Sequence, residues 1–322
     1  MTANIENFAD IDTVKLAIQK FQEIGWPSFN ETDNIDEFVE KITKQITEEL
    51  GKFPNYLMPL KPKNFPFGIF RVREMTESTN FDLYAEHSYP PVAFTKLGRC
   101  NFPKHPVFYA SNNPITALAE VVRNEEFKGK KFCISSWEII KSNDTFIFEN
   151  FLQTSLHPKN HFAVLAKALA NRVNEPFDIK LPEEQTQGIV EFLKYIDSQF
   201  ISDENYSFSA SLAHRRIYGK HNFCTHILMY PSVQTLMQGV NLAINPNFVD
   251  NHMLVKRFYI IELQSFDRQS GKFIITFHKY GEIKKNVIFW KKIHPEDKLY
   301  QKYVKLDFKS FISDDFKFDF IK

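Results

Sequence analysis

A few short stretches of this chain hold the residue types that do chemistry. Residues 98–122, GRCNFPKHPVFYASNNPITALAEVV, place Arg99 and Asn101 in a turn, Tyr109 near the end of a strand-like run, and Glu120 in a helix-like run. Upstream, GIFRVR contributes Arg71 and Arg73, and downstream YPS (230–232) and GVNLAI (239–244) contribute Ser232 and Asn241. A guanidinium offers a planar, permanently charged set of donors for anions. A carboxylate set away from the apolar stripe of its helix is turned to solvent or to a cleft. Taken singly, each of these residues reads as ordinary: a solvated helix face, a packed strand tyrosine, surface salt-bridge partners, plain turn residues.

The elements that must carry them are legible from period and punctuation. GIFRVR alternates apolar and basic positions as a half-buried strand does, and PVFYAS (106–111) has the length and aromatic content of another. Arg71 and Arg73 then share one strand face, so the pattern leaves open which of them faces a pocket. Asn112 or Asn113 can cap a helix that has Pro114 at its first position, with Ile115, Leu118, Ala119 and Val122 on one side and Glu120 off it. Residues 1–60 read as helical, with a stripe at Ile35, Phe38, Val39, Ile42, Ile46 and Leu50 and a cap at Asp33 or Asn34. The proline-rich connector PLKPKNFPF (59–67) closes that layer. Further helices are predicted at 161–173, at 183–200 and near 207–219, making a helical insertion over about 140–205. MLVKRFYIIEL, KFIITFHKY and NVIFWKKI predict a β-rich, antiparallel extension from about residue 250.

Composition narrows the classes. Forty Lys+Arg against thirty-nine Asp+Glu leave a net charge of +1, so nothing in the overall charge asks for nucleic acid or an anionic membrane. Ten glycines, about 3% of the 322 residues against a usual ~7%, and the lack of Walker-type or dinucleotide-type glycine motifs argue against glycine-cradled phosphates. G-x-S-x-G and H-E-x-x-H are also missing. Three scattered cysteines, Cys100, Cys133 and Cys224, speak against a disulfide framework, and with no export signal or spanning stretch a cytoplasmic protein is expected. HPKNH (157–161) is a weak metal motif, Cys224 in HNFCTH reads as a small buried residue, and RNEEFKGKK (123–131) reads as a solvated loop. No metal is expected.

In chain order, Arg71 in a strand, GRCN at 98–101, a strand closing on Tyr109, A-L-A-E ending at Glu120, Tyr230-Pro231-Ser232 and Asn241-Leu242 resemble the RES domain, a bacterial toxin family. The resemblance covers about residues 66–247. Cys100 stands where the family has a bulky aromatic, and FPKHP lacks a glycine often found before the tyrosine strand.

The resemblance implies an α+β fold: an ADP-ribosyltransferase-like mixed β core flanked by helices, filling residues 61–322 behind the 1–60 helical extension. It implies cleavage of NAD⁺ at the nicotinamide–ribose bond, by water or by inorganic phosphate as co-substrate. Modification of a protein by ADP-ribosylation and a catalytically silent binding module are the alternatives. An Xre-type antitoxin is the implied partner, and the N-terminal layer is left to bind an inhibitor or build a homo-oligomer. Glu120, Arg71 and Tyr109 take the catalytic places: the carboxylate holds a ribose hydroxyl and faces the developing cation, the guanidinium holds pyrophosphate, and the tyrosine stacks on nicotinamide. Arg99, Asn101, Ser232 and Asn241 take the substrate-binding places.

Overall fold

The computed structural model describes residues 8–51, 58–65, 68–123, 127–150, 181–219, 224–236, 239–267, 272–284, 287–294 and 296–309. Two helices open the chain, α1 (Ile11–Ile24) and α2 (Ile35–Leu50). Asp10 caps the first by accepting from the Thr13 amide at 2.8 Å, and Asn34 caps the second by accepting from Glu37 at 3.1 Å. Their apolar stripes, Val14, Ala17 and Phe21 on one and Phe38, Ile42, Ile46 and Leu50 on the other, are buried.

Among the described residues ten strands follow: β1 (Met58–Leu60), β2 (Ile69–Glu74), β3 (Phe108–Ser111), β4 (Lys131–Ile139), β5 (Phe146–Asn150), β6 (Ile227–Pro231), β7 (Val240–Ile244), β8 (Met253–Asp267), β9 (Lys272–Lys284) and β10 (Val287–Lys292). Between and after them run α3 (Pro114–Val121), α4 (Glu183–Ser202), α5 (Ser207–Ile217), α6 (Pro246–His252) and α7 (Lys298–Asp307). The strands form one sheet in the order β1-β5-β6-β7-β3-β2-β4-β8-β9-β10. Every pairing is antiparallel except β5 with β6. The fold is therefore α+β, with a large mixed sheet.

Strand alternation sends side chains to two cores. On β4, Cys133 and Trp137 join a cluster that runs through α1, α2, α4 and α5, whereas Phe132 and Ile134 join a second cluster with α3 and α7. The first cluster is continuous from Phe8 to Ile288, so α1 and α2 share their core with the sheet. α1 lies along α4, and α2 along α5. Burying each Phe or Leu of such a cluster contributes about 1.5–3 kcal/mol.

The predicted elements at 183–200 and 207–219 correspond to α4 and α5. The predicted helix at 161–173 and the HPKNH motif lie outside the described residues. The helical insertion expected over about 140–205 contains a strand, β5, whose FIFEN run is apolar enough to be buried beside β6. α7, at the end of the β-rich extension, was not predicted.

One feature of the sheet governs the site. β2 pairs with β4 over six positions and β3 with β7 over four. β2 and β3 meet at a single pair, Phe70 opposite Ser111, and then part.

Candidate active site

The parting of β2 from β3 opens a cleft of about 370 Å³, within the ~300–1,000 Å³ common for small-molecule sites. Arg71, Arg99, Tyr109, Glu120 and Asn241 line it, with Arg123, Tyr206 and Tyr230. Five of the seven residues singled out from sequence thus face one cavity, although they span some 170 positions of chain. A second cavity of about 340 Å³ lies beside the start of α2, under Glu31, Asp33, Asp36 and His105. None of the seven residues reaches it, so the cleft is the candidate site.

α3 delivers the carboxylate. Asn113 caps the helix, accepting from Thr116 at 2.7 Å, and Pro114 occupies the first turn. Thr116 and Glu120 are four residues apart and so share a helix face, while Gly239 and Asn241 are two apart and share a strand face. The two faces meet. A Cβ on Gly239 would lie 2.1 Å from the Thr116 hydroxyl, so only glycine lets β7 come this close to α3. One turn on, the Asn241 amide donates to Glu120 Oε1 at 2.8 Å, and the Ser232 hydroxyl donates to the same oxygen at 2.7 Å. Asn241 is itself oriented by Ser111, whose hydroxyl donates to its Oδ1 at 2.8 Å. Two donors on one oxygen fix the carboxylate and leave Oε2 facing the cleft. Among the described residues Oε2 meets Arg123, at 3.6 Å.

Ser232 is fully buried. Expected among the substrate-binding residues, it sits behind the carboxylate, on which its hydroxyl is spent. Asn241 combines both placements, lining the cleft while its amide is committed to Glu120.

The GRCN turn is a clip. Gly98 and Asn101 bridge each other, and the Asn101 amide donates to the carbonyls of Lys96 (2.7 Å) and Phe102 (3.0 Å). The Tyr109 hydroxyl donates to Asn101 Oδ1 and accepts from the Cys100 amide, each at 2.7 Å. A Cβ on Gly98 would come within 2.7 Å of Asn101 Oδ1. Expected among the substrate-binding residues, Asn101 is buried with every polar atom of its side chain engaged, and it holds the loop that carries Arg99. Burial pushes the Tyr109 phenol well above its ordinary range. With its hydroxyl locked in the clip, Tyr109 offers the cleft a ring rather than a proton.

Arg71 crosses the parting of the strands. Its Nη1 donates to the Tyr109 carbonyl at 2.9 Å, and its guanidinium lies 5.4 Å from the Phe108 ring centroid. Its Nε is buried without a hydrogen-bond partner, and no carboxylate pairs with it among the described residues. Burial, and then the like charge of Arg73, lower its pKa to about 10. Arg73, on the same strand face, turns instead to Glu86, pairing with its carboxylate and donating to its carbonyl at 2.9 Å. Arg71 is thus the arginine that faces the cleft. Arg99 donates to the Phe200 carbonyl and stacks on Tyr206, 5.0 Å from the ring centroid.

Two cleft residues escaped the sequence reading. Arg123 falls in the segment read as a solvated loop, yet its Nε donates to the Glu120 carbonyl at 3.0 Å and its Nη1 to the Tyr206 hydroxyl at 3.2 Å. Tyr206 precedes α5 in a left-handed conformation, φ +57°, which no local motif announced. Among the described residues the lining carries three arginines against one glutamate. That excess of positive charge suits a ligand with two negative charges beside a group the carboxylate can hold.

The sequence matches no protein-family model and no curated protein. Among the described residues, no group of three or more His, Cys, Asp or Glu side chains could hold a metal ion, and no helix is long and apolar enough to cross a membrane.

Proposed function

We propose that this chain is a RES-type, ADP-ribosyltransferase-like enzyme that cleaves NAD⁺ between nicotinamide and ribose. The observation that carries the reading is a half-buried arginine whose Nε is buried without a hydrogen-bond partner and which has no carboxylate partner among the described residues, in the same cleft as a carboxylate fixed by two donors. An unneutralised guanidinium is costly to bury, and a pyrophosphate supplies both the charge and the paired acceptors it lacks. In the reaction, the C1′–N bond breaks with its electron pair going to the nicotinamide nitrogen, which becomes neutral. The ribose C1′ turns cationic. Glu120 Oε2 accepts from a ribose hydroxyl and holds a negative charge beside that carbon, an interaction that strengthens as the cation develops and so raises kcat. Water or inorganic phosphate then forms the new bond to C1′ and gives up a proton. No leaving-group acid is required, in keeping with a tyrosine hydroxyl that is already committed.

The test is incubation of wild type and Glu120→Gln with NAD⁺, following free nicotinamide and any label transferred to protein. The reading predicts nicotinamide release by wild type, a loss of about 10²-fold or more in the variant, and no labelled protein. Labelled protein would point to ADP-ribosyl transfer instead, and NAD⁺ left intact by wild type would defeat the proposal.

A further inference from the structure

We infer that Arg123, aimed by Tyr206, is a phosphate-reading residue that exchanges its contact with Glu120 for the phosphate nearest the substrate ribose. The inference rests on the NAD⁺-cleaving reading and names the part of the substrate that Arg123 senses. Arg123 follows α3 and is anchored at two points, the Glu120 carbonyl and the Tyr206 hydroxyl. Its contact with the Glu120 carboxylate is long: Nη2 lies 3.6 Å from Glu120 Oε2, and the Arg123 side chain is 51% exposed. A pair at that distance with one half-exposed partner is a weak tether, whereas a phosphate offers paired acceptors and a larger charge. Oε2 is also the oxygen that a ribose hydroxyl must reach, since Ser232 and Asn241 occupy Oε1.

The aromatic pivot supports the same assignment. Tyr206 lies between two guanidinium groups, stacked by Arg99 and hydrogen-bonded by Arg123, and holds a left-handed backbone that tyrosine rarely adopts. Strain of this kind persists where the surroundings impose it, commonly at ligand clamps. Arg99, Tyr206 and Arg123 then form the mouth of the cleft, with Arg71 deeper along the β2–β3 parting. A nucleoside lacking phosphate leaves Arg123 on Glu120, and a nucleotide draws it off. The enzyme should therefore favour a pyridine nucleotide over the corresponding nucleoside.

The experiment compares wild type, Arg123→Gln and Arg123→Lys. It measures KM and kcat for NAD⁺ and for nicotinamide riboside, together with calorimetric binding of ADP-ribose at two salt concentrations. Arg123→Gln is expected to raise the KM for NAD⁺ and weaken ADP-ribose about tenfold or more, with a loss at least several times smaller for the riboside and a shallower salt dependence. Lysine restores part of the affinity as a point charge. Equal losses on nucleotide and nucleoside, or ADP-ribose bound as tightly by Arg123→Gln as by wild type, would overturn the assignment. Arg123-dependent binding of ADP-ribose by a wild type that leaves NAD⁺ intact would defeat the cleavage reading while upholding the phosphate subsite. Failure of wild type to bind ADP-ribose would defeat both.

Discussion

If the proposed cleavage of NAD⁺ holds, replacing Arg71 by methionine should make this protein more stable and unable to respond to ADP-ribose. The guanidinium is held at about 10 instead of its ordinary value above 12, chiefly because it is buried. At 1.36 kcal/mol per pH unit, that depression corresponds to roughly 3 kcal/mol against the charged form in the folded state. Methionine keeps most of the unbranched stem and forfeits one hydrogen bond, from Nη1 to the Tyr109 carbonyl, about 1 kcal/mol. The net gain is roughly 2 kcal/mol, or a rise in Tm of about 4 °C for a chain of this size. The sign follows from the depressed pKa: wherever both folded and unfolded states are protonated the cost is full, so the variant's advantage is constant at pH 6–9 and shrinks only above about pH 10. ADP-ribose at about a hundredfold its Kd should stabilise wild type by about 2.7 kcal/mol and the variant hardly at all. Thermal unfolding with and without ADP-ribose at pH 7 measures both effects. A fall in Tm of several degrees with the ligand response intact would show that Arg71 is a structural residue and refute the reasoning.

Asn241→Ala removes a donor to the carboxylate and should lower kcat/KM about 10–150-fold. Ser232→Ala should do the same, and the double variant should cost less than the product of the two if both act through Glu120. Gly98→Ala should break the GRCN clip, costing about 1–3 kcal/mol in chemical denaturation, because the new methyl meets Asn101 Oδ1. Arg216→Met should strand Glu149, whose carboxylate is buried between Arg216 (3.2 Å) and Thr225 (2.8 Å), at a cost of about 3–5 kcal/mol. Burial raises the Glu149 pKa, and a carboxyl with a raised folded pKa contributes less stability as pH rises through that value. Without Arg216 the loss should therefore be smaller at pH 5 than at pH 8, which unfolding at the two pH values would reveal.

How far the sequence could be read depended on whether a feature was local. The cap and proline of α3, the half-buried alternation of β2 and the stripe of α2 are each written in consecutive residues, and all are present in the structure. That Glu120 lies off the apolar stripe followed from helix geometry alone, and the equivalence of Arg71 and Arg73 from the two-residue period of a strand. Choosing between the two arginines required Glu86, a partner whose position the strand pattern does not encode. Ser232 and Asn101 were given substrate-binding places by the resemblance to the RES domain; only tertiary packing shows that one lies behind a carboxylate and the other inside a loop. Arg123 hid in a charged run that reads as solvated, and it is indeed half exposed. β5 was lost inside a helical reading because five apolar-rich residues, bounded by chain of another character, carry no period of their own.

The single rung between Phe70 and Ser111 divides the sheet into two wings of five strands, β1-β5-β6-β7-β3 and β2-β4-β8-β9-β10. Arg71 belongs to one wing and Tyr109 and Asn241 to the other, while α3 lies across the seam against β2, β3 and β7. Anything gripped by both sides acts as a staple between halves that the backbone barely joins. Occupancy should consequently be felt far from the pocket, as slower amide exchange in β4 and β7 alike, and a chain edited to zip the seam by one more rung would gain rigidity by closing the cleft.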